Sequence, residues 1–373
     1  MQIRTQKENL APPLTLVAGA ADARGTIPML GMVLLKATDA GKLSMICSDS
    51  GVLARTLTPV EVTQGGEIAV DAARLRDLLR AIPDKQAIDL SVEDKGTLLV
   101  KAGRSRFRLP TRPAADYPRM NTAATDSVAI TMSAKRLSEM LADVSPSMAD
   151  NDVRVFLNGA LFALEQGGLW LVSTDSYRMT ISHEKISGTE NLPPRQVILP
   201  RKTVLLARKL LSQGGNVTLT ISAKSVQFTF ADNAALLGNA IEGAFPAWRK
   251  AIPATKEQVV LPSQRLSDAL SMLAATGEDK KDAKDKKHLV EVNFTKAMTT
   301  LRRGESGLCE IESVSSADAP FSLAFNISFL TDAVTLVQGG AETRIGYSPD
   351  VAAIAVRPKD TDYPLSVVMR YRA

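Results

Sequence analysis

A catalytic centre in this chain would have to be assembled from His183, His288, Cys47, Cys309 and the turn carboxylates Asp49 and Asp175. Their spacing gives no such assembly. A catalytic histidine normally comes with an orienting residue, and the sequence marks none for either, so both read as ordinary strand-end or surface residues. There is no CxxC, no HExxH and no Asp-rich calcium loop, and no metal or cofactor is expected. Gly214-Gly215 and Gly339-Gly340 follow predicted helices instead of opening them, the wrong polarity for a phosphate cradle. Asp49 (Ser48-Asp49-Ser50) and Asp175 (Thr174-Asp175-Ser176) occupy matching places and read as caps on turn amides. The alternative is a metal-dependent hydrolase built on one of them, whose activity Asp175→Asn would remove. The cysteines lie far apart, which predicts free thiols and a reducing, cytoplasmic setting.

What the side chains do offer is attraction for anions. Basic residues fall on the predicted helices: Lys7, then Arg74, Arg76 and Arg80, then Lys135 and Arg136, then Arg201, Lys202, Arg208 and Lys209, then Arg265. A helix whose apolar stripe faces a sheet must turn its charged stripe outward. Helices gathered on one side would join these stripes into a positive lining; helices scattered over the surface would make them ordinary solvated faces. Both readings fit the pattern. The helix near Leu330 carries no basic residue and has Asp332, a gap in the series.

The elements that position these residues repeat. Leu10, Leu137 and Leu266 each open a helical stretch after a short β-type run (Gln2–Thr5, Val128–Met132, Val259–Leu261), and they stand 127 and 129 residues apart. A second strand–helix signal lies inside each third. It comprises Glu67–Val70 with Asp71 as cap and Leu75, Leu78, Leu79 and Ile82 beyond, then Gln196–Pro200 before Val204–Leu211, then Ser322–Asn326 before Leu330–Val337. Alternating runs follow as hairpins: Ile88–Val92 with Thr97–Lys101, Val217–Ile221 with Val226–Phe230, and Thr343–Tyr347 with Ala352–Val356. Each third closes on an aromatic–proline pair, at Tyr117, Phe245 and Tyr363. A repeat of this length is a whole domain. The expectation is an α+β protein of three domains, 1–125, 126–254 and 255–373, each with two helices packed on antiparallel sheets.

The bulk numbers agree with a soluble globular chain: 373 residues, 45% hydrophobic, 23% charged, net charge +5. No apolar run approaches the roughly 20 residues of a membrane-spanning helix, and the opening Met1–Lys7 alternates like a strand, unlike a signal peptide. Gly277–Lys287 is charged throughout and is expected to be a solvated loop, with contact to DNA or a partner as the other reading.

Several stretches, in order and in the right thirds, resemble the bacterial sliding-clamp family, the beta subunits of DNA polymerase III. They are Gly103–Phe107 leading to Pro113–Pro118, Val153–Gly159, Thr174–Met179, Val197–Lys202, Phe245–Arg249 and Val367–Met369. The resemblance covers the whole chain. It implies three clamp domains forming half of a ring, with two copies joined head to tail, helices inside and sheets outside. It further implies a non-catalytic processivity factor that encircles double-stranded DNA without reading its sequence.

Site residues follow position by position from the same resemblance. Arg24, Asn151, Arg201 and Lys202 would lie nearest DNA, with Arg74, Arg80 and Lys135 completing the lining. Leu157, Thr174, Ser176, Tyr177, Arg178, Met179, Pro246, Arg249, Val367, Val368, Met369 and Arg372 would form a pocket for a linear peptide. The expected peptide partners are the replicative polymerase alpha subunit, the clamp-loader delta subunit, repair polymerases and other proteins with a clamp-binding motif. Arg104, Arg106, Phe107 and Leu109 would face Met272, Leu273, Ala274, Glu310 and Glu312 of a second copy. Three features depart from the family: Ser176-Tyr177 where glycine–histidine is usual, a basic Arg370–Ala373 tail, and a net positive charge. Deleting Val367–Ala373 is expected to remove the pocket and leave the dimer. A monomeric, peptide-binding β-rich scaffold is the rival from another class.

Overall fold

The computed structural model describes residues 1–22, 27–93, 96–118, 126–212, 214–230, 234–276, 288–295, 297–305, 307–315, 320–337 and 339–371. Arg24, Arg372 and the charged stretch 277–287 lie outside them.

All six expected strand–helix starts are present, each with no loop between its two parts. They are Gln2–Gln6 into α1 (Lys7–Ala18), Gly66–Asp71 into α2 (Ala72–Ala81), Ser127–Ser133 into α3 (Ala134–Val144) and Arg195–Pro200 into α4 (Arg201–Leu211). After the short α5 (Trp248–Ala251), the last two are Glu257–Pro262 into α6 (Ser263–Ala275) and Phe321–Asn326 into α7 (Ile327–Leu336). The caps explain two of the starts. The Asp71 carboxylate accepts the Arg74 N–H at 2.8 Å, and the Asn326 side chain accepts the Ser328 N–H at 2.9 Å. Helix α1 runs through Pro12 and Pro13, which cannot donate to the carbonyls a turn earlier. Burial of Leu10, Leu14 and Val17, all 0% exposed, offsets that loss, each side chain contributing about 1.5–3 kcal/mol. At the end of α4 the chain reverses through Gly214 (φ 77°) and Gly215 (φ 80°), a left-handed pair that side chains disfavour.

The chain divides into two compact units. The first, Met1–Ser138 with Arg195–Ile241, holds a thirteen-stranded antiparallel sheet. Its spatial order begins Ser127–Ser133, Asn216–Ser222, Ser225–Phe230, Ala235–Asn239, then passes to Val52–Pro59, Lys42–Ser48, Met32–Thr38 and Gly66–Asp71. It ends Ser105–Arg112, Thr97–Ala102, Ala87–Glu93, Gln2–Gln6 and Glu61–Gln64. Helix α1 packs on α2 and on Val52–Pro59. Gly238 lets α4 lie directly on its strand, because a Cβ there would stand 2.4 Å from Thr203 Cγ2.

The second unit, Glu139–Pro194 with Glu242–Ala373, carries seven consecutive strands. In spatial order they are Gly159–Glu165, Gly168–Thr174, Arg178–Lys185, Leu365–Met369, Ala353–Pro358, Glu342–Tyr347 and Glu257–Pro262. A separate four-stranded sheet orders Gly307–Glu312, Met298–Arg303, Leu289–Phe294 and Phe321–Asn326. Helices α6 and α7 pack together over a core that includes Leu266, Leu270, Phe325, Leu330, Tyr347 and Val368. The two units cut across boundaries near 125 and 254 because strand ladders continue over both. Leu236 stands opposite Ala54 in one sheet, and Met179 opposite Val367 in the other.

Candidate functional site

The turn at 174–178 is built around one carboxylate. Asp175 Oδ1 accepts the N–H groups of Tyr177 and Arg178, both at 3.0 Å, and its Oδ2 accepts Arg178 Nε at 2.9 Å. The Arg178 guanidinium also pairs with Asp332 of α7, donates to Pro146 O at 2.6 Å and stacks on Phe329 with its carbon 4.4 Å from the ring centre. Asp49 is used the same way: Oδ1 accepts from Gly51 N (3.0 Å) and Val52 N (2.8 Å), and Oδ2 accepts from Lys202 Nζ (2.6 Å). These lone pairs are occupied by turn amides and a cation, which fits the capping reading and leaves the hydrolase reading without a ligand set. Cys47 is a buried free thiol whose pKa burial pushes up; Cys309 is also free.

Strand pairing brings most of the expected pocket together. Arg178 lies opposite Val368 and Met179 opposite Val367, and the Met369 N–H donates to Tyr177 O at 2.9 Å. The exposed part of this surface is Ser176, Tyr177 (63% exposed) and Met369 (41%), with Thr174 half-buried beside them. Tyr177 stacks on Phe329, their centroids 6.4 Å apart. Leu157, Met179, Val367 and Val368 are buried beneath this surface or in the adjoining core. Arg249 belongs to a different cluster. It pairs with Glu165 and covers Trp248 (4.0 Å) and Trp170 (5.3 Å), beside His183 stacked on Trp170 at 3.8 Å and Tyr363 edge-on at 5.1 Å. Pro246 is exposed just before α5. Phe329 and Asp332, which fix Arg178, were missed as site residues; their i, i+3 spacing on α7 was the available signal.

The cations are unevenly distributed. Helix α4 carries Arg201, Lys202, Arg208 and Lys209 and no acid, and α2 carries Arg74, Arg76 and Arg80 against Asp77. Helices α1, α3 and α6 balance their charges, and α7 has only Asp332. Arg74, Arg80 and Lys135 are exposed, and Arg201 is half-buried. Asn151 is exposed in a left-handed conformation (φ 58°). Lys202 stands apart: besides Asp49, its ammonium donates to Ala20 O and Ala21 O, both at 3.1 Å.

Two strands with open edges carry the residues expected at the interface between copies. Ser105–Arg112 pairs with Thr97–Ala102 along its length, but its other side meets Gly66–Asp71 only at Thr111 and Arg112. Arg104, Arg106 and Phe107 are exposed along the open part, and Leu109 is half-buried. In the other unit Gly307–Glu312 ends the four-stranded sheet, with Leu308, Glu310 and Glu312 exposed. Met272 and Ala274 on α6 are exposed. Leu273 is a correction: it is 1% exposed and packs inward, because the apolar stripe of α6 runs through Leu266, Leu270 and Leu273.

Comparison with known proteins fits this architecture. Residues 1–121 match the model of the DNA polymerase III beta subunit N-terminal domain, and residues 131–247 match that of its central domain. The beta sliding clamp of Pseudomonas aeruginosa is 31% identical over the full length of both chains, and that of Escherichia coli K12 is 27% identical, again over both in full. Among solved structures, the Pseudomonas aeruginosa DNA polymerase III subunit beta superposes with a TM-score of 0.89 at 29% identity, covering 100% of each chain. A clamp from the same organism bound to griselimycin gives the same TM-score, identity and coverage. With that identity running end to end, the chain belongs to the family of the bacterial DNA polymerase III beta subunits, the beta sliding clamps.

Proposed function

We propose that this processivity factor closes as a head-to-tail homodimer around duplex DNA, through three clamp domains at about 1–125, 126–254 and 255–373. The observation that carries the reading is the pairing of acid-free cationic α4 and cation-rich α2 with carboxylates, Asp49 and Asp175, engaged in turn capping. Such a surface attracts phosphates and has no apparatus to react with them. Lys and Arg that meet only backbone phosphates carry no base information, so a closed ring can move along the duplex. Arg74, Arg80, Lys135, Arg201 and Asn151, with Arg24, are the residues assigned to that lining. The open edge strands Ser105–Pro110 and Gly307–Glu312, one basic and one acidic, have the chemistry to pair with each other between two copies.

The groove at Thr174, Ser176, Tyr177, Arg178 and Met369, floored by Leu157, Met179, Val367 and Val368, is assigned to linear peptides of the polymerase alpha subunit, the clamp-loader delta subunit and repair polymerases. Pro246, Arg249 and Arg372 complete that assignment. The Tyr177–Phe329 stack offers an aromatic ledge to a leucine or phenylalanine anchor.

The lining is tested by salt titration. Replacing Arg80 and Lys135 together by Ala should lower the slope of log affinity for a duplex oligonucleotide against log salt by about 0.9 for each phosphate that is no longer neutralised. An unchanged slope would remove both residues from the lining.

A further inference from the structure

The three helices that open the repeats, α1, α3 and α6, share a deficit: none has a basic residue in its last turn. By contrast, α2 ends with Arg80 and α4 with Arg208 and Lys209. A helix end without a cation leaves the negative pole of the dipole unanswered, even where neighbouring N–H and hydroxyl groups cap its last carbonyls, as they do at α1, α3 and α6. In each of the three cases a cation from a distant part of the chain bonds backbone carbonyls in the last turn of the helix or in the turn just beyond it. In the turn just beyond α1, Lys202 Nζ donates to Ala20 O and Ala21 O, both at 3.1 Å, while holding Asp49 Oδ2 at 2.6 Å. In the 3-10 turn that prolongs α3, Arg178 Nη2 donates to Pro146 O at 2.6 Å while its other nitrogens hold Asp175 and Asp332. At the end of α6, Arg303 Nη1 donates to Leu273 O at 2.7 Å and Ala274 O at 2.9 Å. The donors sit at unrelated sequence positions, on a helix, a strand start and a strand end, so the device is invisible to the sequence repeat. Lys7 serves α2 similarly, donating to Ile82 O.

We propose that Lys202, Arg178 and Arg303 are positioning residues that fasten the ends of the repeat-opening helices and the turns just beyond them, and that Lys202 is therefore engaged by protein oxygens and not by DNA phosphate. In the first unit this link holds the start of α4, where Arg201 stands, against the Ala20–Ala21 segment and the Asp49 turn. The consequence for DNA rests on the clamp function proposed above; the helix-end role does not.

The test compares wild type with Lys202→Met, Lys202→Arg, Asp49→Asn and the Lys202→Met/Asp49→Asn double variant, by thermal unfolding and by the salt slope of binding to a duplex oligonucleotide. Lys202→Met should lower the melting temperature by on the order of 2–4 °C, and Lys202→Arg should recover most of it. The double variant should lose less than the sum of the singles, since Asp49 and Lys202 serve one contact. The salt slope of Lys202→Met should equal that of wild type. A slope lower by about 0.9, or an unchanged melting temperature in Lys202→Met, overturns the proposal. Wild type that binds no duplex at any salt would overturn the DNA-lining reading, and the melting cycle would still decide the helix-end role.

Discussion

A single Val368→Asp substitution should unfold the second unit. Val368 is 0% exposed, lies in the same core as Tyr347, Ile354 and Val356, and sits on a strand paired on both sides, opposite Arg178 and opposite Ile354. The cation opposite, Arg178, is already held by Asp175 and Asp332, so a further carboxylate there is buried without a free partner, at a cost of about 3–5 kcal/mol. Against a typical total of roughly 5–15 kcal/mol, that is enough to populate open forms at 37 °C. Circular dichroism melts and limited proteolysis of the full chain should show early loss of residues 242–371, while conservative Val368→Ile stays close to wild type. A melting curve superimposable on wild type would show that this strand is dispensable. The same geometry revises the expectation for removing Val367–Ala373. That deletion takes away three residues of a central strand, so loss of polymerase stimulation would report unfolding as well as loss of the groove.

The second large effect concerns self-association. Reversing Glu310 and Glu312 to Lys should weaken the dimer by at least about 100-fold, or roughly 3 kcal/mol. Both side chains are exposed on the terminal strand of the four-stranded sheet, so the monomer fold should survive. In the proposed ring they face Arg104 and Arg106, and the reversal turns attraction into like-charge contact. Arg104→Glu with Arg106→Glu should restore association when mixed with the Lys variant. Arg108 is left alone because it pairs with Glu93 at 3.0 Å within its own sheet and holds that carboxyl below its ordinary pKa. Analytical ultracentrifugation reads the outcome: an undiminished dimer in the Glu310/Glu312 variant, or no rescue on mixing, would place the interface elsewhere.

Local patterns carried much of the fold. Every strand–helix start was legible because a β-type alternation changed into leucines at helical spacing at one residue, with Asp71 as a side-chain cap. The hairpin Val217–Ile221 with Val226–Phe230 was legible for the same reason. Pairings between thirds, such as Leu237 with Leu53 and Ile181 with Leu365, were not, because nothing local marks which distant edge a strand will meet. The site divided along similar lines. Asp49 and Asp175 read correctly as turn caps, a role fixed by neighbours two and three residues away. Leu273 reads as a contact residue and is buried in its own domain, since an apolar side chain looks the same in sequence whether it faces a partner or its own domain. The carbonyl partners of Lys202 and Arg178 were hidden because every residue has a backbone carbonyl, and Asp49 and Asp332 because they lie far away in the sequence.

The most direct measurement of the central claim is release from DNA ends. The protein is loaded onto a nicked circular duplex, separated from free protein by gel filtration at moderate salt, and the circle is then cut once. A ring held by closure stays with the circle and leaves the linear molecule, so the co-eluting protein should fall to background after cutting. Retention on the linear duplex equal to that on the circle would mean that charge alone holds the protein to DNA, and would contradict encirclement.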